Sequence, residues 1–192
     1  MRGQRSQSGT NVEKVKEGNR RAFSDLVAPH LPRLLLLARR MTGSQTDAED
    51  AVQSALASIW VSRAKLDPTR AITPYLTTAV LNQCRDRLRR RGLRRFLNIG
   101  SSGEIQVGQS IELISDEPNA EQTVSARERL VTVRAEIDKL PIRLREALLL
   151  VTVDDRSHSE AAELLGVTEK TIEMRIYRAR KRLRKMLKKF EG

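Results

Sequence analysis

The stretch from Ser157 to Leu183 constrains the fold more than any other, because it encodes two helices joined by a very short turn. Gly166 lies where a helix end favours a left-handed residue, a conformation that glycine adopts without a Cβ penalty. Thr168 suits the N-cap of the second helix, since its hydroxyl can accept a backbone N–H. That helix carries one apolar stripe at helical spacing, formed by Ile172, Ile176, Ala179 and Leu183.

The rest of the second helix is strongly basic. Its cations are Lys170, Arg175, Arg178, Arg180, Lys181 and Arg182. A short helix, a glycine turn and a basic amphipathic helix are typical of a helix-turn-helix, whose second helix enters the DNA major groove. An ordinary helical hairpin with a solvated basic face is one alternative. A basic helix that binds a membrane surface or an acidic partner is another.

Composition favours a polyanionic partner. The 192 residues carry 36 Lys and Arg against 24 Asp and Glu, a formal net charge of +12. Aromatic residues make up only 3%, which argues against base stacking on an aromatic sheet. The chain has one cysteine, Cys84, and two histidines, His30 and His158, so we expect no disulfide and no metal site. We also expect no cofactor.

The localisation expected from the sequence is cytoplasmic. Residues 1–11 are predicted to be a disordered basic tail, and they lack the apolar core of a secretory signal. The longest apolar runs, Leu34 to Ala38 and Ala147 to Val151, are far too short to span a bilayer. We therefore expect no membrane insertion.

Helical periodicity covers the first half of the chain. It runs from Val12 to Met41, with a bend or a division into two helices expected at Pro29 and Pro32, and His30 is expected to be half-buried on the apolar side. Thr46 and Glu49 have the spacing of a capping box that would begin the next helix. The start of that helix is acidic, which suits a helix N-terminus and also a protein-docking face set apart from the basic regions.

A third helix is predicted from Tyr75 to about Arg91, with Thr73 as its cap and Pro74 at its first position. Its second half carries a dense arginine cluster, opposed only by Asp86. The cluster contains Arg85, Arg87, Arg89, Arg90 and Arg91, and continues to Arg94 and Arg95. This number exceeds what a helix C-terminus needs, so we predict a phosphate-contacting surface.

The predicted architecture is all-α, with two small helical domains joined by a flexible linker and a helix-turn-helix in the second. The boundaries are residues 12–91 for the first domain, 92–120 for the acidic linker and 121–192 for the second domain, which should contain about four helices.

Three blocks in order resemble a bacterial RNA polymerase sigma factor of the sigma-70 family, in its extracytoplasmic-function (group 4) class. The span from Asp47 to Trp60 resembles the family's core-polymerase-binding segment. The span from Tyr75 to Arg91 resembles its promoter −10 segment, and Leu140 to Leu150 followed by the helix-turn-helix resembles its −35-reading domain. The resemblance implies a promoter-specificity factor that initiates transcription of a stress- or signal-responsive gene set.

The resemblance assigns residues to three surfaces. Core polymerase, through its β′ clamp helices, would contact Asp47, Asp50, Gln53 and Trp60. The −10 strand would face Tyr75, Asn82, Arg85 and Arg89, with the loop Leu66 to Ile72 lining a pocket for a flipped base. The −35 element would meet Thr171, Glu173, Met174, Arg175, Tyr177 and Arg178. Further partners implied are the polymerase β flap and an anti-sigma factor, and the acidic linker would thread toward the RNA exit path.

Three residues depart from the family pattern. Glu173 stands where a basic residue is common, and Met174 where a small one is common. A carboxylate can accept a hydrogen bond from cytosine N4, so we predict that Glu173 reads a C in the −35 element. Tyr75 also stands near a helix start where the family usually has Trp.

Two other functions are open to a chain like this. A stand-alone helix-turn-helix repressor or activator would explain the C-terminal domain, but not the acidic segment or the arginine cluster. A DNA-cleaving or recombining enzyme would need a nucleophile or a metal-binding carboxylate cluster. Ser157, His158 and Ser159 are adjacent but have no third group to orient them, so we predict no catalytic residue and no enzyme activity.

Overall fold

The computed structural model describes residues 10–97 and 130–188, and within these ranges the chain forms helices and turns without a β-strand. The chain divides into two compact units, Met1–Gly100 and Ser101–Gly192. The all-α class with two helical domains is therefore confirmed. Most of the predicted linker and tail lies outside the described residues, so the boundaries at 11, 92 and 120 stay predictions. Among the described helices, none combines the length and apolarity needed to cross a bilayer.

Five helices build the described part of the first unit: α1 (10–16), α2 (Arg20–Val27), α3 (Leu31–Thr42), α4 (Gln45–Val61) and α5 (Ile72–Leu97). Its core lies where α3, α4 and α5 pack against one another. Alanines at the buried positions of α4 let the neighbouring helices approach closely. Larger side chains fill the space around them, namely Leu34, Leu37 and Met41 of α3 and Leu76, Val80 and Leu81 of α5.

The predicted interruption near the two prolines is confirmed as a division into two helices, and a second break precedes it. A 3-10 turn, Ala28–His30, separates α2 from α3. The unpredicted break lies between α1 and α2, where Gly18 takes the left-handed φ of 93° that glycine tolerates best. His30 is half-buried, as expected, and burial lowers its pKa, with Arg33 lowering it further.

The predicted N-cap of α4 is wrong. Ser44, not Thr46, occupies the cap, in extended backbone, and its Oγ accepts the backbone N–H of Asp47. Glu49 instead accepts a hydrogen bond from the Gln45 side chain at 2.5 Å. Both serine and threonine are good caps, but Gly43 ends α3 with a left-handed φ of 72° and places the extended residue directly after it.

The limits of α5 also differ from the prediction. The helix begins at Ile72, so Thr73 and Pro74 lie inside its first turn, and the Thr73 carbonyl accepts the Thr77 hydroxyl. It continues through Gly92 to Leu97, beyond the predicted end near Arg91. A single exposed glycine costs a helix only about 1 kcal/mol relative to alanine, which is too little to end a long helix.

Four helical segments form the described part of the second unit: α6 (130–138), α7 (Ile142–Thr152), α8 (His158–Leu165) and α9 (Glu169–Leu187). The expected start of α6 near Glu121 lies outside the described residues. The apolar core of the second unit is made by Leu149 and Leu150 of α7, Ala161 of α8, and Ile172 and Ile176 of α9.

One buried cation joins α7 to the end of α6. The Arg145 side chain is only 5% exposed and lies 3.6 Å from the Asp138 carboxylate. The same guanidinium donates to the backbone carbonyls of Asp138 and Leu140. It thereby satisfies carbonyls at the end of α6 that have no partner within the helix.

Candidate nucleic-acid interfaces

The turn between α8 and α9 has the geometry predicted from the sequence. Gly166 ends α8 with a φ of 62°, in the left-handed region. Thr168 caps α9, because its Oγ accepts the backbone N–H of Thr171. Each device ends or begins a helix at a fixed residue, so the turn positions α9 accurately relative to α8.

Ser157 adds a capping box that the sequence analysis missed. Its Oγ accepts the backbone N–H of Glu160, while the Glu160 carboxylate accepts the Ser157 backbone N–H at 2.9 Å. That N–H lowers the pKa of Glu160, and the Ser157 hydroxyl and Arg156 lower it further. The Ser-x-x-Glu spacing was the signal that could have found it.

Arg156 holds the segment that precedes α8 in place. Its guanidinium donates to Asp154 at 3.0 Å and to Glu160 at 3.2 Å. Between these groups, Asp155 takes a left-handed φ of 53°, which non-glycine residues adopt rarely. The segment between α7 and α8 is therefore held by ion pairs, which fixes the start of the helix-turn-helix.

The predicted buried stripe of α9 is confirmed at three of its four positions. Ile172, Ile176 and Ala179 are buried, and Leu183 is half-buried. On the opposite side, Met174 is 43% exposed and Tyr177 57% exposed, and Glu173 and Arg178 are exposed as well.

The remaining two −35 residues are half-buried. They are Thr171, whose hydroxyl is 2.8 Å from that of Thr168, and Arg175. The six residues predicted to meet the −35 element therefore include four that are exposed on α9. Exposed carboxylate, guanidinium, phenol and thioether groups can make hydrogen bonds and apolar contacts with base edges.

In the first unit, a shallow groove of about 220 Å³ runs between α4 and α5. Its lining includes Tyr75, Asn82 and Gln83 of α5, and Ser58 of α4. The Asn82 amide oxygen accepts a hydrogen bond from Arg85 at 2.7 Å. An aromatic ring, an amide and a guanidinium are thus within reach of this groove, and such groups can stack on and bind an unpaired base.

The predicted loop Leu66 to Ile72 contributes none of the lining of this groove. Leu66 is buried, and Asp67 accepts hydrogen bonds from the backbone N–H and hydroxyl of Thr69. A role for the loop in holding a flipped base stays a prediction.

The arginine cluster of α5 is not a uniform phosphate surface. Arg87 lies 3.2 Å from the Asp50 carboxylate and 4.0 Å from that of Asp47. Arg91 pairs with Asp47 and also donates to the Thr42 carbonyl at 3.1 Å. The expectations that only Asp86 opposes this cluster, and that the acidic face of α4 is set apart from basic residues, are therefore wrong.

The other arginines of the cluster have different surroundings. Arg89 is exposed and lies 3.5 Å from Asp86 on its own helix, and Arg90 is exposed. Exposed ion pairs are weak, so both guanidinium groups can exchange such contacts for phosphate oxygens. Sequence reasoning could not separate Arg89 and Arg90 from Arg87 and Arg91, because the acids that pair with Arg87 and Arg91 lie on another helix.

The four predicted core-binding residues lie on α4. Asp50 and Gln53 are exposed, and Asp47 is half-buried against α5. Trp60 lies near the other end of the helix, with the Phe23 ring centroid at 5.4 Å and the Arg63 guanidinium carbon 4.8 Å from its ring. The acids and the tryptophan are separated by several helical turns, so together they can serve only a partner with an extended contact surface.

Comparison with protein families finds two matches in the expected order. The family described as Sigma-70 region 2 matches residues 26–94, and that described as Sigma-70, region 4 matches residues 130–183. The first covers the groove and the arginine cluster as far as Arg94. The second covers the helix-turn-helix.

Characterised relatives span nearly the whole chain. The RNA polymerase sigma factor CnrH of Cupriavidus metallidurans is 36% identical over 175 residues, which cover 91% of each chain. The ECF RNA polymerase sigma factor SigW of Bacillus subtilis is 29% identical, covering 92% of this chain and 95% of its own.

Two solved structures have the same fold. The structure of CnrH in complex with the cytosolic domain of CnrY has a TM-score of 0.66 and 29% identity, covering 95% of this chain and 97% of that one. The sigma factor RpoE of Bartonella quintana, crystallised with the anti-sigma factor NepR, also has a TM-score of 0.66, at 23% identity, covering 86% and 96%.

Proposed function

The chain belongs to the RNA polymerase sigma-70 family, in its extracytoplasmic-function class, and we propose that it gives core RNA polymerase the ability to recognise one set of promoters. The observation that carries this proposal is the capped helix-turn-helix whose α9 presents Glu173, Met174, Tyr177 and Arg178 to solvent. A second DNA-binding surface on α5 of the first unit suits a factor that contacts a promoter at two elements.

In this proposal α9 reads the −35 element. Thr171, Glu173, Met174 and Tyr177 approach base edges, and Arg175 and Arg178 contact bases or phosphates. The buried stripe of α9 fixes which side faces outward. Base contacts then give sequence preference, and phosphate contacts fix the register.

The groove between α4 and α5 receives the melted −10 strand. Tyr75 supplies the aromatic face, Asn82 and Arg85 supply hydrogen bonds, and Arg89 binds the phosphate backbone. Extruding a base costs a few kcal/mol, and stacking on one aromatic ring returns about 1–3 kcal/mol. The cationic surroundings must supply the remainder.

Core polymerase docks on α4, through its β′ clamp helices. Asp50 and Gln53 are exposed for this contact, and Trp60 adds to the contact surface near the other end of α4. The β flap contacts the second domain. With residues 12–91 and 121–192 as the two functional domains, the acidic segment between them follows the path of the nascent RNA.

An anti-sigma factor is a further partner in this proposal. The support is the 29% identical CnrH, which was crystallised with the cytosolic domain of another protein, CnrY. The chain acts in the cytoplasm, where its polymerase is, and as an initiation factor it needs no catalytic residue of its own.

The decisive experiment is transcription in vitro with purified core polymerase and a panel of genomic fragments. We expect promoter-dependent transcripts only when the chain is added, and strong promoter binding only as holoenzyme. Sequence-specific binding by the free chain, without transcripts, would instead identify a stand-alone repressor or activator.

Glu173→Lys should change the −35 sequence that the holoenzyme selects, because lysine cannot accept the hydrogen bond from cytosine N4. In a binding-site selection, the C at the position facing residue 173 should be lost. Glu163→Lys makes the same charge change at an exposed position of α8 and should leave the selected sequence unaltered. An unchanged preference in Glu173→Lys would refute the assignment.

Arg178→Ala should weaken binding to the −35 element by about 1–3 kcal/mol if Arg178 reads a base. Arg182→Ala, an exposed arginine one turn further along α9, serves as the matched control. Titration of both holoenzymes against specific and scrambled duplexes distinguishes a base contact from a phosphate contact. An equal loss on both duplexes would make Arg178 a phosphate contact.

A further inference from the structure

Three potential metal ligands meet at the helix-turn-helix. His158 is the first residue of α8, Glu169 is the first residue of α9, and Glu173 follows one helical turn later. Their ligand atoms all lie within 4.8 Å of one another. We propose that this cluster binds a divalent transition-metal ion of the Zn²⁺ type, and that the bound ion changes how α9 reads the −35 element.

The ligand set determines the class of ion. One imidazole nitrogen and two carboxylates form a mixed nitrogen and oxygen set, which suits Zn²⁺ and its neighbours in the first transition row. Mg²⁺ and Ca²⁺ prefer sites made of oxygen atoms alone. Two carboxylates also supply two negative charges, which balance a divalent cation.

Among the residues that the structure describes, no other side chain pairs with the two glutamates and explains their placement. They lie four residues apart on one face of α9, where like charges repel each other. Glu169 suits the positive N-terminus of the helix, but Glu173 lies a full turn inside it. Within the described residues, neither glutamate forms an ion pair, including with Lys170 between them in sequence. A cation between their carboxylates would remove the repulsion.

The helices that carry the ligands are fixed, so only side chains need to move. The Ser157 capping box holds the start of α8, and Gly166 and Thr168 fix the start of α9. Zinc binds nitrogen and oxygen ligands at about 2.0–2.2 Å, so adjacent ligands lie roughly 3.3 Å apart. The ligand atoms lie within 4.8 Å of one another, and rotation of the two exposed glutamate side chains can shorten these distances to the value that zinc needs.

Metal binding would alter the DNA-facing surface at one of its least ordinary residues. A Glu173 carboxylate that coordinates a cation is a weaker acceptor for the hydrogen bond from cytosine N4, because the cation withdraws its negative charge and occupies one of its oxygens. The added charge would favour phosphate and base acceptor atoms instead. This second half of the inference rests on the proposed function, whereas metal binding itself does not.

Isothermal titration calorimetry of Zn²⁺ into the metal-free 192-residue chain tests the site directly. We expect one site per chain, which Mg²⁺ does not fill. His158→Ala, Glu169→Gln and Glu173→Gln should each weaken Zn²⁺ binding by about tenfold or more. Glu163→Gln, an exposed glutamate of α8 outside the cluster, should bind Zn²⁺ as the parent does.

Thermal melts show whether each variant is still folded, and Glu173→Gln, at an exposed position, is the variant expected to fold normally. Undiminished Zn²⁺ binding in Glu173→Gln and Glu169→Gln would overturn the site, because the metal would then lie elsewhere, for instance on His30.

The DNA effect is read from the affinity of the holoenzyme for a −35 duplex with and without added Zn²⁺. The parent and Glu163→Gln should prefer C less strongly when Zn²⁺ is bound, and Glu173→Gln should not respond. Metal binding without any change in DNA preference would overturn the regulatory half. Failure of promoter-dependent transcription in buffer that contains Mg²⁺ but no added Zn²⁺ would instead count against the proposed function, and would leave the calorimetric result standing.

Discussion

Asp50→Arg is expected to abolish binding to core polymerase, with a loss of at least about 3 kcal/mol, or roughly a hundredfold. Asp50 is half-exposed on the proposed docking face of α4, with 51% of its side chain accessible. An arginine at this position would present a positive charge to the polymerase in place of the negative charge of Asp50. Pull-down and titration against purified core enzyme measure the loss, and Asp25→Arg, which makes the same change at an exposed position of α2, should bind normally.

The ion pair between Asp50 and Arg87 requires a second control. Asp50→Arg also places two guanidinium groups side by side within the domain. Since the pair is partly exposed, its loss should cost only about 0.2–1 kcal/mol of stability. The exchanged variant Asp50→Arg with Arg87→Asp restores the pair but keeps the reversed charge on α4. If that variant regains core binding, Asp50 acts by holding Arg87, and the docking assignment is wrong.

Arg145→Ala is expected to lower the free energy of unfolding of the second unit by about 2–4 kcal/mol. The truncation removes a buried side chain and leaves the carbonyls of Asp138 and Leu140 without their donor. Arg143→Ala, at an exposed position of the same helix, should stay within about 0.5 kcal/mol. Urea titration of the full chain by circular dichroism measures the total loss.

Hydrogen exchange by mass spectrometry then assigns the Arg145 effect to a region. Peptides from α6 and α7 should lose protection, and peptides from α4 and α5 should not. Normal protection across α6 and α7 would mean that Arg145 contributes packing that its neighbours can replace.

Local signals predicted the helix-turn-helix well. Gly166 and Thr168 act on their own backbone neighbours, so their effects do not depend on the rest of the fold. The α4 cap was missed because Ser44 and Thr46 offer almost equal local signals. The turn at Gly43, directly before Ser44, and the packing of α3 choose between them, and that packing depends on residues far from the cap.

The outward face of α9 could also be predicted, because a buried stripe at helical spacing leaves the opposite side to solvent. The pairing of Arg87 and Arg91 with Asp47 and Asp50 could not. It depends on how α5 packs against α4, across more than thirty positions of sequence. For the same reason, the approach of His158 to two residues of α9 could not be read from spacing alone.

The contact of Trp60 with Phe23 and Arg63 has a practical consequence. Trp60 is the only tryptophan in the chain, so its fluorescence comes from one known place on α4. Its indole ring is half-buried between an aromatic ring and a guanidinium, and a partner that displaces Arg63 would change the polarity around it. The intrinsic emission of the unlabelled protein would therefore report occupancy of this face in real time, with no dye attached to the surface under study.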